Sequence, residues 1–211
     1  MLDTEKINEY NVFSESDVSV GSNMLKKITA FKINYEKNIL GGRPAGESIR
    51  EQVIAQLKSN PLDSIMPLDF GQVQFMDYSC ADEFVCKLVR RIMIRDFGER
   101  YILISGVNEI VKENLTAALK ERGLAVPAVD DKNQPILYGE IGQEMRDTYM
   151  FLAAKEAFTA RDLAESGLVV ENKINSASNR ISKLDDMALV RKINQENIGG
   201  GGRQYIYEVV K

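Results

Sequence analysis

In SIMPLDFGQVQFMDYSCADEFVCKLVRRIMI, residues 64–94, a strand pattern is followed at once by a helix pattern. The short apolar run 64–70 is typical of a buried strand. Apolar residues then recur at helical spacing, with Phe84, Leu88 and Ile92 on one broad face. The stretch therefore predicts a buried strand that leads into an amphipathic helix.

The same alternation continues on both sides of this unit. Breaker clusters such as Gly41-Gly42-Arg43-Pro44 separate the patterns. Alternating strands and helices predict an α/β domain over residues 25–141. Residues 1–24 are polar without a sustained period and form either a flexible arm or an extra strand. The predicted strands lie at 25–34, 64–70, 101–106 and about 136–138, and the predicted helices lie between Pro44 and Asn60, over 79–94 and over 107–122.

Residues 142–211 follow a different plan, in which three helix patterns precede two strand patterns. Thr159 opens the second helix, and Asp162 three residues later completes a capping box. Helix, helix, helix, strand, glycine-rich loop, strand is the order of a small α+β winged-helix domain. The predicted elements are a first helix that includes Met150 and Phe158, a second that stops at Gly167, a third over 170–186, and strands at 188–193 and 204–210.

The third helix of this region has two distinct faces. Its predicted buried seam consists of residues at three- and four-residue steps: Ile174, Ala177, Ile181 and Leu184. The polar residues on the other side are of the types that bind base edges and phosphates. With the basic residues of the wing, they give the predicted DNA-binding set: Asn172, Lys173, Ser176, Asn179, Arg180, Lys183, Arg191, Lys192 and Arg203.

The segment from Thr159 to Lys192 resembles the winged helix-turn-helix of bacterial transcription regulators. SKLDDMALVR, residues 182–191, looks like that family's passage from the recognition helix into the first wing strand. The resemblance implies DNA binding. A protein-docking role stays open, because residues 142–211 carry ten basic and ten acidic side chains, whereas DNA-binding domains are normally basic.

LDFGQVQFMDYSCADE, residues 68–83, resembles the STAS-like domains that are related to anti-sigma-factor antagonists. RPAGESIR, residues 43–50, is similar to their upstream element, and the resemblance covers most of residues 25–125. In antagonists a partner kinase phosphorylates the hydroxyl residue directly after the loop aspartate. That position is Tyr78 here, and Ser79 comes one residue later. The resemblance implies a partner or switch site formed by Asp77, Tyr78, Ser79, Asp82 and Glu83.

Ser79 also has a structural interpretation. With Asp82 three residues later, it predicts an N-cap box at the start of the helix. A phosphate on Ser79 would be favoured there by the helix dipole. The residues leave both interpretations open, with the cap favoured.

The loop before the first helix is a weak candidate for anion binding. Free backbone N–H groups at a helix start can hold an anion, and Arg43 and Gly46 are the candidate residues. The alternative is a plain loop that enters a helix, and this is the favoured interpretation. No Lys-Ser or Lys-Thr follows the glycines, so the loop is not a P-loop. The acidic residues near Asp77 predict no metal site.

The sequence has no histidine, two cysteines and a net charge of −4. Histidine-based catalysis and histidine-containing metal sites are therefore excluded, and we expect no cofactor. Cys80 and Cys86 are predicted to be reduced core residues. The start of the chain has no signal pattern, and no stretch approaches the ~18 apolar residues that a membrane span needs. We expect a cytoplasmic protein without a membrane partner.

Together these patterns predict a non-enzymatic bacterial regulator of α/β class. A STAS-like alternating sheet-and-helix domain would receive a signal or partner, and a winged-helix domain would bind DNA. The alternative is a partner-switching adaptor whose winged helix docks protein. The expected partners are DNA and a protein, either a kinase-like ATPase or a second copy of the chain.

Overall fold

The computed structural model describes residues 28–170, 173–198 and 202–211. Over these ranges the chain is a mixed α/β structure with a mostly parallel central sheet. Its strands are β1 (Phe31–Lys32), β2 (Ile39–Leu40), β3 (Ser64–Asp69), β4 (Phe75–Met76), β5 (Arg100–Ser105), β6 (Ala125–Val129), β7 (Pro135–Gly139), β8 (Val190–Ile198) and β9 (Gly202–Val209). Its helices are α1 (Gly42–Ser59), α2 (Tyr78–Ala81), α3 (Lys87–Met93), α4 (Glu109–Glu121), α5 (Gln143–Ala153), α6 (Ala160–Ala164) and α7 (Ile174–Asp186).

The central sheet has the strand order β1-β3-β5-β6-β7. The first four of these strands are parallel, and β7 pairs antiparallel with β6. β2 and β4 form a separate parallel pair, and β8 and β9 form an antiparallel hairpin. The loops that leave β3 and β5 meet at one sheet edge, where a Cβ added to Gly106 would lie 2.7 Å from the backbone nitrogen of Gly71.

Much of the predicted α/β alternation is confirmed. α1, β3, β5, α4 and β7 lie where the sequence places them, and α4 ends before Gly123, whose φ is +62°. The predicted strand 25–34 is reduced to β1 within the described residues, and residues 1–24 lie outside them. The sequence did not predict β6, because Pro127 interrupts its apolar run and proline is normally excluded from sheet interiors.

The helix predicted over 79–94 begins one residue earlier and contains an irregular turn. A π-helical turn over Asp82–Cys86 joins α2 to α3. The prediction that Ser79 caps this helix is wrong. Asp77 is the N-cap, and its carboxylate accepts a hydrogen bond from the backbone N–H of Cys80 at 2.7 Å. Ser79 lies inside the first helical turn.

The C-terminal region has the predicted order of three helices and two strands. The capping box at Thr159 and Asp162 is confirmed, since each residue binds the other's backbone N–H through its side chain. Phe158 is not part of α5 as predicted, but forms an isolated antiparallel bridge with Tyr207 of β9. The hairpin strands are longer than predicted and extend to Ile198 and from Gly202.

The buried apolar side chains form two clusters. The larger cluster lies between the central sheet and α1, the α2–α3 helix and α4. The second cluster contains residues of α5, α6, α7 and the hairpin. Each cluster takes residues from across the predicted boundary: Leu137 belongs to the second, while Ala188 and Val210 belong to the first. The division into domains 25–141 and 142–211 stays a prediction.

Candidate nucleic-acid interface and partner site

The predicted recognition helix presents one polar face to solvent. Ala177, Ile181 and Leu184 of α7 are buried and hold the helix on the second cluster. Ile174, predicted to belong to the seam, is 48% exposed because it lies at the first position of the helix. The seam is therefore one turn shorter than predicted.

Arg180 is turned inward rather than towards solvent. Its guanidinium donates to the carbonyl of Leu168 at 2.8 Å and to the hydroxyl of Thr148 at 3.3 Å, and it pairs with the carboxylate of Glu144. Its side chain is 14% exposed. Arg180 thus fixes α7 to α5 and to the loop after α6, and we remove it from the candidate DNA contacts.

Arg191 is also bound internally. Its guanidinium pairs with Glu208 across the β8–β9 hairpin and donates to the backbone carbonyl of Asp63. The residue is 7% exposed. Because Asp63 precedes β3, this contact ties the hairpin to the α/β part of the chain. Each of the three guanidinium nitrogens of Arg191 thus has an internal partner.

The remaining basic candidates lie at the surface. Lys183 is exposed on α7, and Arg203 is exposed on β9 opposite Asn197. Lys192 is exposed on β8, and its ammonium lies 3.9 Å from the ring centroid of Tyr205. Lys173 is exposed at the N-cap position of α7. Asn172 lies outside the described residues.

The exposed face of α7 is wider than the sequence analysis assigned. Asn179 is exposed and Ser176 is half-buried, as members of the predicted set. Asn175, Ser178 and Ser182 are exposed as well, although the sequence analysis left them out. Their positions between the seam residues are a helical-wheel signal that could have found them. In this face, polar side chains without charge predominate over basic ones.

The predicted switch segment is mostly structural. The carboxylate of Asp77 accepts from Cys80 and also from the backbone N–H of Gly42, at 2.7 Å in each case. The residue Tyr78 is half-buried, and its hydroxyl oxygen is shielded from solvent. In this conformation the hydroxyl of Tyr78 is therefore not presented to a kinase. Ser79 is half-buried as a residue.

Asp82 and Glu83 lie in the π-helical turn and are 3% and 5% exposed. Asp82 accepts two hydrogen bonds from Arg122, at 2.8 and 2.9 Å, which lower its pKa together with the charge of Arg43. Burial opposes the ionisation of Glu83, but hydrogen bonds from Lys87, Arg50 and Arg43 outweigh it and lower its pKa to about 2.

These two carboxylates connect three helices. Asp82 binds Arg122 at the end of α4, and Glu83 binds Arg50 of α1 and Lys87 of α3. Both carboxylates are paired with cations of the same chain, so the role that the structure shows for them is to hold the helices together. Within this segment, Ser79 is a half-buried hydroxyl residue that makes no cap hydrogen bond.

The two anion candidates have other roles. Nη1 of Arg43 lies 3.3 Å from Oδ2 of Asp82 and 3.2 Å from Oε2 of Glu83, so the charge of Arg43 is directed at carboxylates of the chain itself. Gly46 is buried inside α1, where an added Cβ would lie 2.8 Å from the carbonyl oxygen of Cys80. Its position is used for close helix packing, and a role of Gly46 in holding an anion stays a prediction.

The described residues contain neither an activated thiol nor a grouped set of metal ligands. Cys80 and Cys86 are buried free thiols, and burial raises the pKa of each to about 12. In residues 28–170, 173–198 and 202–211, no three potential Cys, Asp or Glu ligands are grouped as a metal site requires. No helix in these ranges combines the length and the apolar character of a membrane span.

Comparison with known proteins gives no assignment: no protein-family model, curated protein or solved structure matches the chain.

Proposed function

We propose that the chain is a DNA-binding regulator in which residues 142–211 contact duplex DNA through α7 and the β8–β9 hairpin. The observation that carries the proposal is the exposed polar face of α7, opposite a buried seam and followed by a hairpin with outward cations. An α-helix fits the major groove, and an adjacent hairpin can reach the flanking phosphates.

The arrangement of elements supports this proposal. Three helices precede an antiparallel hairpin. Phe158, which lies between α5 and α6, forms a β-bridge with Tyr207 of the hairpin. The resemblance of residues 159–192 to winged helix-turn-helix regulators, which rests on sequence, assigns the recognition role to the same helix. Sequence pattern and element order therefore favour the same surface.

The positions of the exposed cations also support the proposal. The pairs Glu144–Arg180 and Glu208–Arg191 each hold one anion and one cation internally, so they leave the balance of charge at the surface unchanged. Lys183, Lys192 and Arg203 remain exposed. Asp185 and Asp186 follow at the end of α7, so we assign the base contacts to the first two turns of the helix, away from these carboxylates, and a phosphate contact to Lys183 in the third turn.

The α/β part is proposed to receive the signal, in line with its STAS-like resemblance. Ser79 is the hydroxyl candidate, and a kinase-like ATPase or a second copy of the chain is the proposed partner. The proposal contains no catalytic step.

The test is a titration of a fluorescently labelled random-sequence DNA duplex with the full chain. Binding is measured by fluorescence anisotropy at several salt concentrations. We expect weak binding at low salt, because the region is neutral overall. Lys183→Ala and Arg203→Ala should each weaken binding and reduce the salt slope by about one unit. Lys132→Ala is the matched control, since Lys132 is exposed in the turn between β6 and β7.

Absence of binding by the full chain at low salt would reject the DNA-binding function. It would leave the adaptor alternative, in which the same surface docks protein. If Lys132→Ala lowered the DNA affinity as much as Lys183→Ala and Arg203→Ala do, the contact would not be at α7 and the hairpin.

A further inference from the structure

We propose that α7 selects adenines at two positions of its DNA site, through Asn175 and Asn179. This inference rests on the proposed DNA-binding function and adds the class of sequence that is bound. Asn175 lies in the first turn of α7 and Asn179 one turn later. Both are exposed.

The chemistry of the amide favours adenine. An asparagine side chain presents one donor and one acceptor, and it pairs in a bidentate manner with N6 and N7 of adenine in the major groove. The structure shows no internal hydrogen bond by either side chain within the described residues. Both amides are therefore available to a base edge.

The spacing of the two amides fits base pairs that are two steps apart. Four residues of an α-helix rise by about 6 Å, and two base-pair steps along a strand rise by about 7 Å. Because i and i+4 positions share one helix face, both side chains can enter the groove together. A single base pair would separate the two adenines.

Guanine is disfavoured by what the face lacks. The commonest contact to guanine is a bidentate arginine or lysine, and the lysine of α7, Lys183, lies in the third turn, beyond both asparagines. The one arginine of α7 is Arg180, and its guanidinium is bound to Leu168, Thr148 and Glu144. In the first two turns of α7 the exposed side chains are thus mainly amides and hydroxyls, which leaves adenine as the base that the face pairs best.

The helix is also held rigidly enough to discriminate. Ala177 and Ile181 are buried beneath the two asparagines, and Arg180 anchors the same turn to α5. Because the backbone of these turns is anchored, a mismatch is not absorbed by movement of the helix.

The experiment is selection of bound duplexes from a random library by the full chain, followed by sequencing and affinity measurement on the selected site. We expect two enriched adenines with one base pair between them. Asn175→Ala should abolish the preference at one position, and Asn179→Ala at the other. Each change should lower the affinity for the selected site about ten-fold or more. Asn114→Ala, on α4, is the control and should change neither preference.

The outcomes separate this inference from the function on which it rests. Binding without adenine enrichment, or enrichment that neither variant alters, would overturn the inference and leave DNA binding intact. Failure to bind any duplex at low salt would overturn both. Urea unfolding of the two variants should match the parent, since both positions are at the surface; a lowered midpoint would show that the asparagines act on the fold instead, and would overturn the base contact.

Discussion

Asp77 caps the N-terminus of α1 through the backbone N–H of Gly42, which lies 35 residues earlier in the chain, at 2.7 Å. The other carboxylate oxygen caps the helix to which Asp77 itself belongs, through Cys80. One side chain therefore satisfies the starts of two packed helices. Orphan N–H groups at a helix start favour a negative charge, so the two caps reinforce each other.

Asp77→Ala should be more destabilising than the loss of an ordinary N-cap, because two helix starts lose their acceptor. A single cap contributes about 1 kcal/mol, and we expect about 2 kcal/mol from urea unfolding. Ser79→Ala is the matched variant, and it should change stability by less than about 0.5 kcal/mol. A larger cost for Ser79→Ala than for Asp77→Ala would contradict the assignment of the cap.

The misplaced cap shows where local sequence stops being decisive. Asp77 with Cys80 and Ser79 with Asp82 are two helix starts of equal chemical merit, two residues apart. The choice depends on partners that are distant in sequence. The backbone N–H of Gly42 donates to Asp77, and Arg122 forms an ion pair with Asp82. By contrast, the capping box at Thr159 involves only residues 159–162, and the sequence was sufficient to predict it.

The same reasoning applies to the candidate interface. Helical spacing predicted the buried positions Ala177, Ile181 and Leu184 of α7, since burial follows from periodicity. It did not separate exposed cations from internal ones. Arg180 and Arg191 pair with Glu144 and Glu208, 36 and 17 residues away, and such pairings are fixed by tertiary contacts.

Gly46→Ala should destabilise the α/β part by about 1–3 kcal/mol, the usual cost of overpacking. The added methyl would lie 2.8 Å from the carbonyl oxygen of Cys80 and 2.9 Å from Cβ of Glu83, so α1 must move away. Gly142→Ala is the control, because no atom lies within 4 Å of its added Cβ. Thermal unfolding of both variants measures the difference. An unchanged melting temperature for Gly46→Ala would show that the helices tolerate separation.

Glu83 should make the protein acid-sensitive. Its pKa is lowered from 4.5 to about 2 in the folded chain, so its contribution to stability is fully present above pH 4.5 and is lost as the pH falls towards 2. Glu83→Gln should be less stable than the parent at pH 7, and the gap should narrow between pH 4.5 and 2. Urea unfolding at several pH values measures the gap. Glu113→Gln, at an exposed position of α4, should show no such gap; a gap for Glu83→Gln that is independent of pH would refute the ion-pair account.

Arg180 and Arg203 should separate stability from DNA binding. Arg180→Ala removes the bonds to Leu168, Thr148 and Glu144, and we expect a loss of about 1–3 kcal/mol on unfolding. Arg203→Ala should leave stability within about 0.5 kcal/mol, because the residue is exposed, while it weakens binding to every duplex. Unfolding and anisotropy are measured on both variants. If Arg180→Ala lowers DNA affinity without any cost in stability, Arg180 is a DNA contact after all.

Arg95 and Asp185 join the two hydrophobic clusters at the end of α7. Substitutions of the two residues should lower the free energy of unfolding by different amounts. The guanidinium donates to the carboxylate of Asp185 at 2.8 Å and to its backbone carbonyl at 2.9 Å. Burial raises the pKa of Asp185, although the charge of Arg95 opposes the shift. Arg95→Ala leaves this partly buried carboxylate without its cation, whereas Asp185→Asn removes the charge and keeps the backbone contact. Arg95→Ala should therefore be the more destabilising of the two.

The pair also tests the predicted division at residues 141 and 142. If the two regions are separate domains, loosening of the contact should expose the linker, and limited proteolysis of Arg95→Ala should cleave between Gly139 and Gly142 faster than in the parent. Asp185→Asn should be cleaved at an intermediate rate, since it loses the ion pair while the hydrogen bond to the backbone carbonyl persists. Equal cleavage rates for the parent and both variants would mean that Arg95 does not hold the regions together, and the anchor would then have to be the packing of Ala188 and Val210 on the larger cluster.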